Sequence, residues 1–273
     1  MSLSPELTGR VAVVTGASQG IGRGIALALA RAGADVVIAA RTKENVVAVA
    51  AEIEGLGRRP LAIPTDVTRE DEVRRLIAET EHVFGRLDIL VNNVGASYGR
   101  TFRRGPLLQL NGKDFDEAIA VNLKSTFLCA TAAARIMLRQ GKGAIVNISS
   151  IANRESEATW VGMGLYAAAK AAVVALTWNM AAEWAPHVRV NCVAPGFVSS
   201  QRASASRSSD RLRARLSSIS MGRPGDPNEI GNVVAFLASD AASYMTGSVV
   251  DVHGGLKSTL PPLDVIGGAE TSP

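Results

Sequence analysis

Short runs rich in β-branched residues alternate with longer alanine-rich stretches along most of this 273-residue chain, and that alternation restricts the fold more than any other feature. The predicted strands are VAVVT (11–15), DVVIAA (35–40), PLAIPT (60–65), LDILVNN (87–93), GAIVNIS (143–149), VRVNCVA (188–194) and SVVDV (248–252). Helical stretches are predicted near 21–32, 43–56, 69–84, 114–140, 165–185, 203–218 and 227–238. This is the pattern of repeated βαβ units, in which successive strands run parallel and the helices cover both faces of the sheet. The chain is therefore expected to form a doubly wound α/β fold with a seven-stranded, mostly parallel sheet. No long linker interrupts the alternation, so residues 1–255 read as one domain and 256–273 as a C-terminal extension.

Composition narrows the setting. With 47% hydrophobic and 20% charged residues the chain can bury a full core. The start, MSLSPELTGR, lacks the layout of a signal peptide. No apolar run is expected to approach the roughly 20 residues that span a bilayer. A cytoplasmic protein with no membrane partner is expected. Cys129 and Cys192 have no metal-ligand spacing and read as reduced core residues, and no metal site is expected. Basic residues cluster at Arg100, Arg103 and Arg104 and again between 200 and 223, although net charge is only +4. A solvated face explains such clusters more simply than a ligand site. A nucleic-acid partner is not expected, because neither cluster has interleaved aromatics or a DNA-binding motif.

The segment VAVVTGASQGIGRGIALALARAG is a strand, a glycine-rich turn and an amphipathic helix. Gly16, Gly20 and Gly22 follow G-x-x-x-G-x-G, with Ser18, Gln19 and Ile21 in the same turn. Without side chains there, backbone N–H groups can approach a pyrophosphate at the positive end of the helix. A tight turn with close helix packing would use the same glycines, but the strand before and the helix after favour a dinucleotide and a Rossmann-type sheet. The second strand ends in Ala40, Arg41, Thr42 and Lys43. An acid at that point would repel a 2′-phosphate, whereas Arg41 and Thr42 offer charge and donors to one. NADP(H) is thus favoured over NAD(H). Asp66, followed by Val67 at the end of the third strand, could bond the adenine amino group or cap the next helix.

TGASQGIG at 15–22, NNVG at 92–95, Asn122, ISS at 148–150, YAAAK at 166–170 and PG at 195–196 appear in one order. In this order and spacing the chain resembles the classical short-chain dehydrogenase/reductases over residues 8–255 or so. The resemblance implies that Tyr166 is the general acid/base, that Lys170 binds the nicotinamide ribose and lowers the Tyr166 pKa, that Ser150 holds the substrate oxygen, and that Asn122 belongs to a proton relay. It also implies cofactor contacts at Asn93, Gly95, Pro195, Gly196 and Val198, with Ser200 in place of the usual threonine. The activity implied is NADP(H)-dependent interconversion of a carbonyl and a secondary alcohol, with a ketone or 3-oxoacyl group as the expected substrate. The implied assembly is a homotetramer or homodimer through the helices at 114–140 and 165–185.

The chemistry of the pair agrees with this. Residues four apart share a helix face, so Lys170 lies beside Tyr166. Lowering a phenol from about 10 to about 7 takes roughly 4 kcal/mol, and a charge near 4 Å at an effective dielectric of about 20 supplies about that. In isolation a surface tyrosine and lysine would mean little; the upstream serine and glycine turn give them a reaction to serve. No G-x-S-x-G elbow surrounds Ser150, so a hydrolase triad is not expected. A non-catalytic dinucleotide sensor with the same fold is the alternative. Fifteen residues separate Ser150 from Tyr166, more than in many relatives, and this insertion carries Trp160 and Met163. Those two and Phe197 are the candidate substrate contacts, in loops near 94–112, 151–164 and 197–225. The arginines near two of these loops suggest a substrate with anionic character. His253, where an aspartate is common in the family, reads as structural.

Overall fold

The computed structural model describes residues 6–99, 102–153, 162–199 and 216–255. Seven strands form one sheet in the order β3-β2-β1-β4-β5-β6-β7, and every ladder between neighbours is parallel. They are β1 (Val11–Thr15), β2 (Asp35–Ala40), β3 (Pro60–Pro64), β4 (Ile89–Asn92), β5 (Gly143–Ile148), β6 (Val188–Pro195) and β7 (Val249–Val252). The helices are α1 (Gly20–Arg31), α2 (Lys43–Gly55), α3 (Glu70–Phe84), α4 (Gly112–Ile119), α5 (Ser125–Gln140), α6 (Gly164–Trp184) and α7 (Pro227–Ala238).

Because side chains alternate along a strand, each central strand feeds two cores. Ala12, Val14, Ile38, Val91 and Ile148 pack with Ile25 and Leu29 of α1, Ile53 of α2 and Val234 of α7. Their neighbours Val11, Val13, Val37, Leu90 and Ile145 pack on the other face with Leu76 of α3, Met137 of α5 and Met180 of α6. Every residue of β1, β4 and β5 is buried, which is why these strands read as unbroken apolar runs. The strand order reverses between β1 and β4, and a crevice opens there beyond their carboxyl ends.

Cys129 and Cys192 are buried and free, and burial pushes the Cys129 thiol up to about 12.

Two expectations need correction. The single helix read over 114–140 is instead α4, a π-helical turn at Ala120–Lys124, and α5. The segment has helical composition throughout, so nothing in its apolar spacing signals the wider turn. The second correction concerns α6, which is by length and composition apolar enough to cross a bilayer. It packs along β6, burying Val173, Thr177 and Met180, so its hydropathy reflects a place in the core. Most of the helix read over 203–218 and all of the extension at 256–273 lie outside the described residues.

Helices α1 and α7 meet through glycines. A Cβ on Gly24 would lie 2.6 Å from the Pro227 backbone, and one on Gly231 would lie 2.7 Å from Ala28 Cβ and the Gly24 carbonyl oxygen. Overpacking of this kind costs about 1–3 kcal/mol. Gly24→Ala and Gly231→Ala should each lose that much in urea unfolding; a wild-type midpoint for both would show that the two helices can part freely.

Candidate active site

The crevice is built by tying the end of β1 to the end of β4. Thr15 Oγ1 donates to the Val91 carbonyl at 3.2 Å and accepts from the Asn93 amide at 3.0 Å. Asn93 Nδ2 in turn donates to the carbonyls of Thr15 (3.0 Å) and Gly16 (3.3 Å). Gly16 has φ +65°, in the left-handed region. A Cβ on Gly22 would stand 2.2 Å from the Gly16 carbonyl oxygen, so the turn closes on itself with no room for a side chain at Gly22. Among the described residues no side chain caps the start of α1, leaving its first N–H groups facing the crevice mouth.

Farther along the sheet edge, Arg41 and Thr42 are exposed at the end of β2. Among the described residues no acid forms an ion pair with Arg41. Asp66 Oδ1 accepts from the amide of Thr68 at 3.0 Å and from its hydroxyl at 2.7 Å, so that oxygen shapes the turn into α3. The Val67 side chain is buried in the lower core.

Helix α6 carries the reactive pair, and the ends of β5 and β6 hold it in place. Ser149 Oγ donates to the Lys170 carbonyl at 2.7 Å, while the Ser149 amide donates to Val193 O. Lys170 is only 2% exposed, and its Nζ donates to Ile148 O at 2.8 Å. Gly95 makes this possible, since a Cβ there would lie 2.7 Å from Lys170 Nζ and 2.9 Å from Asn122 Oδ1. Burial lowers the Lys170 ammonium to about 8 from its usual 10.5. Ser150 Oγ accepts from the Ala152 amide at 3.2 Å.

The Tyr166 phenol lies above its ordinary value, because burial raises it more than the Ser150 hydrogen bond lowers it. The Lys170 ammonium sits 6.0 Å from the Tyr166 ring centre and is turned to the Ile148 carbonyl.

Asn122 lies in the π turn and is fully buried. Its Oδ1 accepts from Ala96 N at 2.9 Å, and its Nδ2 donates to Ala96 O at 3.0 Å and Ala118 O at 2.9 Å. Both amide protons are thus committed, and one Oδ1 lone pair remains for a water.

The substrate-side expectations divide. Met163 occupies the residue before α6 and is half-buried. Phe197 is packed in a small cluster with Ile151, Ala194 and Ile219. Trp160 and Ser200 lie outside the described residues. The arginines of the first loop are partly neutralised: Arg103 pairs with buried Asp114 at 2.9 Å, holding that carboxyl down at about 2, and Arg104 stacks over the Tyr98 ring at 5.3 Å. The two loops meet where Gly105 N donates to Gly162 O at 2.9 Å. On the far wall Gly196 N donates to Val252 O, and Gly196 has no room for a side chain beside His253. Val198 bridges to Gly225. His253 Nδ1 accepts from Gly255 N at 3.0 Å, as a structural residue would.

Comparison with known proteins decides the family. A family model described as Enoyl-(Acyl carrier protein) reductase matches residues 16–257. The 3-oxoacyl-[acyl-carrier-protein] reductase FabG of Staphylococcus aureus is 42% identical over 248 residues, 90% of this chain and 97% of its own. Its Thermotoga maritima counterpart is 37% identical, covering 92% and 99%. A solved 7 alpha-hydroxysteroid dehydrogenase, complexed with NADH and 7-oxo glycochenodeoxycholic acid, superposes with a TM-score of 0.86 at 33% identity, over 92% of this chain and 96% of that one.

The chain belongs to the short-chain dehydrogenase/reductases.

It is accordingly an oxidoreductase, and Ser150, Tyr166 and Lys170 come together as the family resemblance implies. Sequence reasoning did not assign roles to Thr15, Ser149 or the Ile148 carbonyl. Thr15 and Ser149 stand inside the quoted motifs TGASQGIG and ISS, which was their signal.

Lys170 also gives a pH signature. Its proton is held less tightly in the folded protein than in the unfolded chain, so the unfolded state binds more protons between about pH 8 and 10.5. Stability therefore rises with pH across that window. Relative to Lys170→Met, the wild type should gain about 3 kcal/mol between those limits. Parallel stability curves for the two proteins would show that Lys170 titrates normally.

Proposed function

We propose that this oxidoreductase interconverts a carbonyl and a secondary alcohol by hydride transfer with NADP(H), acting on a ketone or 3-oxoacyl group. The observation that carries the reading is the buried Lys170 ammonium 6.0 Å from the Tyr166 ring centre, with the Ser150 hydroxyl acting on the same phenol. The crevice fits a dinucleotide: position 22 in the turn after β1 admits no side chain, and among the described residues α1 has no side-chain cap. Arg41 at the end of β2 fits a 2′-phosphate.

When bound, the nicotinamide supplies or accepts the hydride. Ser150 Oγ and Tyr166 Oη hold the carbonyl oxygen, and Tyr166 gives it the proton in reduction. Lys170 keeps a positive charge near that phenol, which favours the phenolate form. Asn122 fixes the Ala96 backbone and, through its free Oδ1 lone pair, holds a water that returns the proton to the site. The neutralised Arg103 and the stacked Arg104 weaken the case for a strongly anionic substrate. Exposed Phe127 and Leu138 on α5 and Trp178 on α6 support a homodimer or homotetramer through those helices. The two free, buried thiols support a cytoplasmic setting. The non-catalytic sensor is disfavoured by the assembled Ser150, Tyr166 and Lys170.

Oxidation of NADPH and NADH against ketones, 3-oxoacyl esters and steroids tests the reading. Tyr166→Phe should lower kcat about 10²–10⁴-fold; undiminished turnover would remove Tyr166 from the chemistry. Arg41→Ala should lower kcat/KM for NADPH about 10- to 100-fold, the worth of a charge-assisted hydrogen bond, and leave NADH nearly unchanged. Equal loss with both cofactors would defeat the assignment of Arg41 to the phosphate.

A further inference from the structure

The π turn that carries Asn122 has a support that the family motifs do not name. In an α-helix the Ser125 amide would close the turn onto the carbonyl four residues back, that of Val121. It bonds instead to Ala120 O, one residue farther. The Val121 carbonyl, passed over by the Ser125 amide, is met instead by the hydroxyl of the same residue: Ser125 Oγ donates to it at 2.7 Å. Ser125 is only 2% exposed, so water cannot readily replace that donor, and a carbonyl left without one there would favour the return of the ordinary helical register. We propose that Ser125 is a positioning residue, its hydroxyl holding the turn in its wide register and so placing Asn122 against Ala96 and beside Lys170. Its amide and its hydroxyl act together, each taking one of two successive carbonyls.

The effect on turnover follows from what the turn carries. Asn122 bonds both the amide and the carbonyl of Ala96, directly after the Gly95 position that Asn122 Oδ1 and Lys170 Nζ both approach. A narrower turn would rotate Asn122 away from both. Among the described residues Ser125 makes no hydrogen bond to Ser150, Tyr166 or the glycine turn, so it acts through Asn122. This consequence rests on the proposed carbonyl–alcohol chemistry, whereas the hold on the turn does not.

The test compares Ser125→Ala, which deletes the donor, with Ser125→Thr, which keeps it; Thr131 on the same helix already bonds the carbonyl four residues back, at 2.8 Å. Two readouts are taken: steady-state turnover, and amide hydrogen exchange of peptides spanning 118–130. Ser125→Ala should lower kcat about tenfold or more with KM for NADPH within about twofold, as expected when a positioned group is displaced. It should speed exchange in 118–130 and leave the β1–α1 segment unchanged. Ser125→Thr should recover most of both. Wild-type exchange in Ser125→Ala would overturn the hold on the turn. Faster exchange with unchanged kcat would overturn its link to turnover. A loss of kcat that tracks a fall in melting temperature, with exchange raised throughout the chain, would reduce Ser125 to a general stabilising residue. If the wild type reduces no carbonyl, the proposed reaction fails, and the exchange data still judge Ser125.

Discussion

Keeping the Lys170 ammonium out of water sets conditions that its surroundings must meet. A charged amine that is 2% exposed is stabilised only by what lies within reach, here the Ile148 carbonyl at 2.8 Å. Space for it exists because position 95 has no side chain. The helix under it cannot slide, since Ser149 Oγ grips the Lys170 carbonyl itself. The amine is left with its proton loosened, to about 8. A lysine in this state sits close to the pH range in which it can pass charge or protons, which a solvated lysine does not.

The sheet supplies the rigid side of this arrangement. Ile148, Ser149 and Ser150 leave the end of β5, while Thr15 and Asn93 leave the ends of β1 and β4, and all of these strands are buried over their full length. Loops that leave such a base start from fixed points. The ties across the crevice are short side-chain bonds to backbone, from Thr15 to Val91 and from Asn93 to Thr15 and Gly16. They bring the two halves of the doubly wound sheet together where their winding diverges.

The strands and most helices were legible from sequence because parallel strands covered on both sides must be apolar throughout, and few other arrangements produce such runs. The residues Ser150, Tyr166 and Lys170 were legible because their spacing repeats a family motif. What escaped depends on register or on contacts between distant residues. The π turn at Ala120–Lys124 has the composition of any helix, so its extra width shows only in which carbonyl the Ser125 amide selects. The basic loop read as a charged wall because the sequence does not reveal that Asp114, eleven residues away, takes up Arg103.

The bond from Gly105 N to Gly162 O joins the two substrate loops through main-chain atoms alone. Neither partner has a side chain, so the joint asks nothing of its neighbours' chemistry. The joint itself uses no side chain of Arg104, Leu107 or Met163, which flank it in sequence. A scaffold of this kind separates the part that decides which molecule is accepted from the part that keeps the reacting groups aligned. Changes in preference can then accumulate by single substitutions without the catalyst having to be rebuilt.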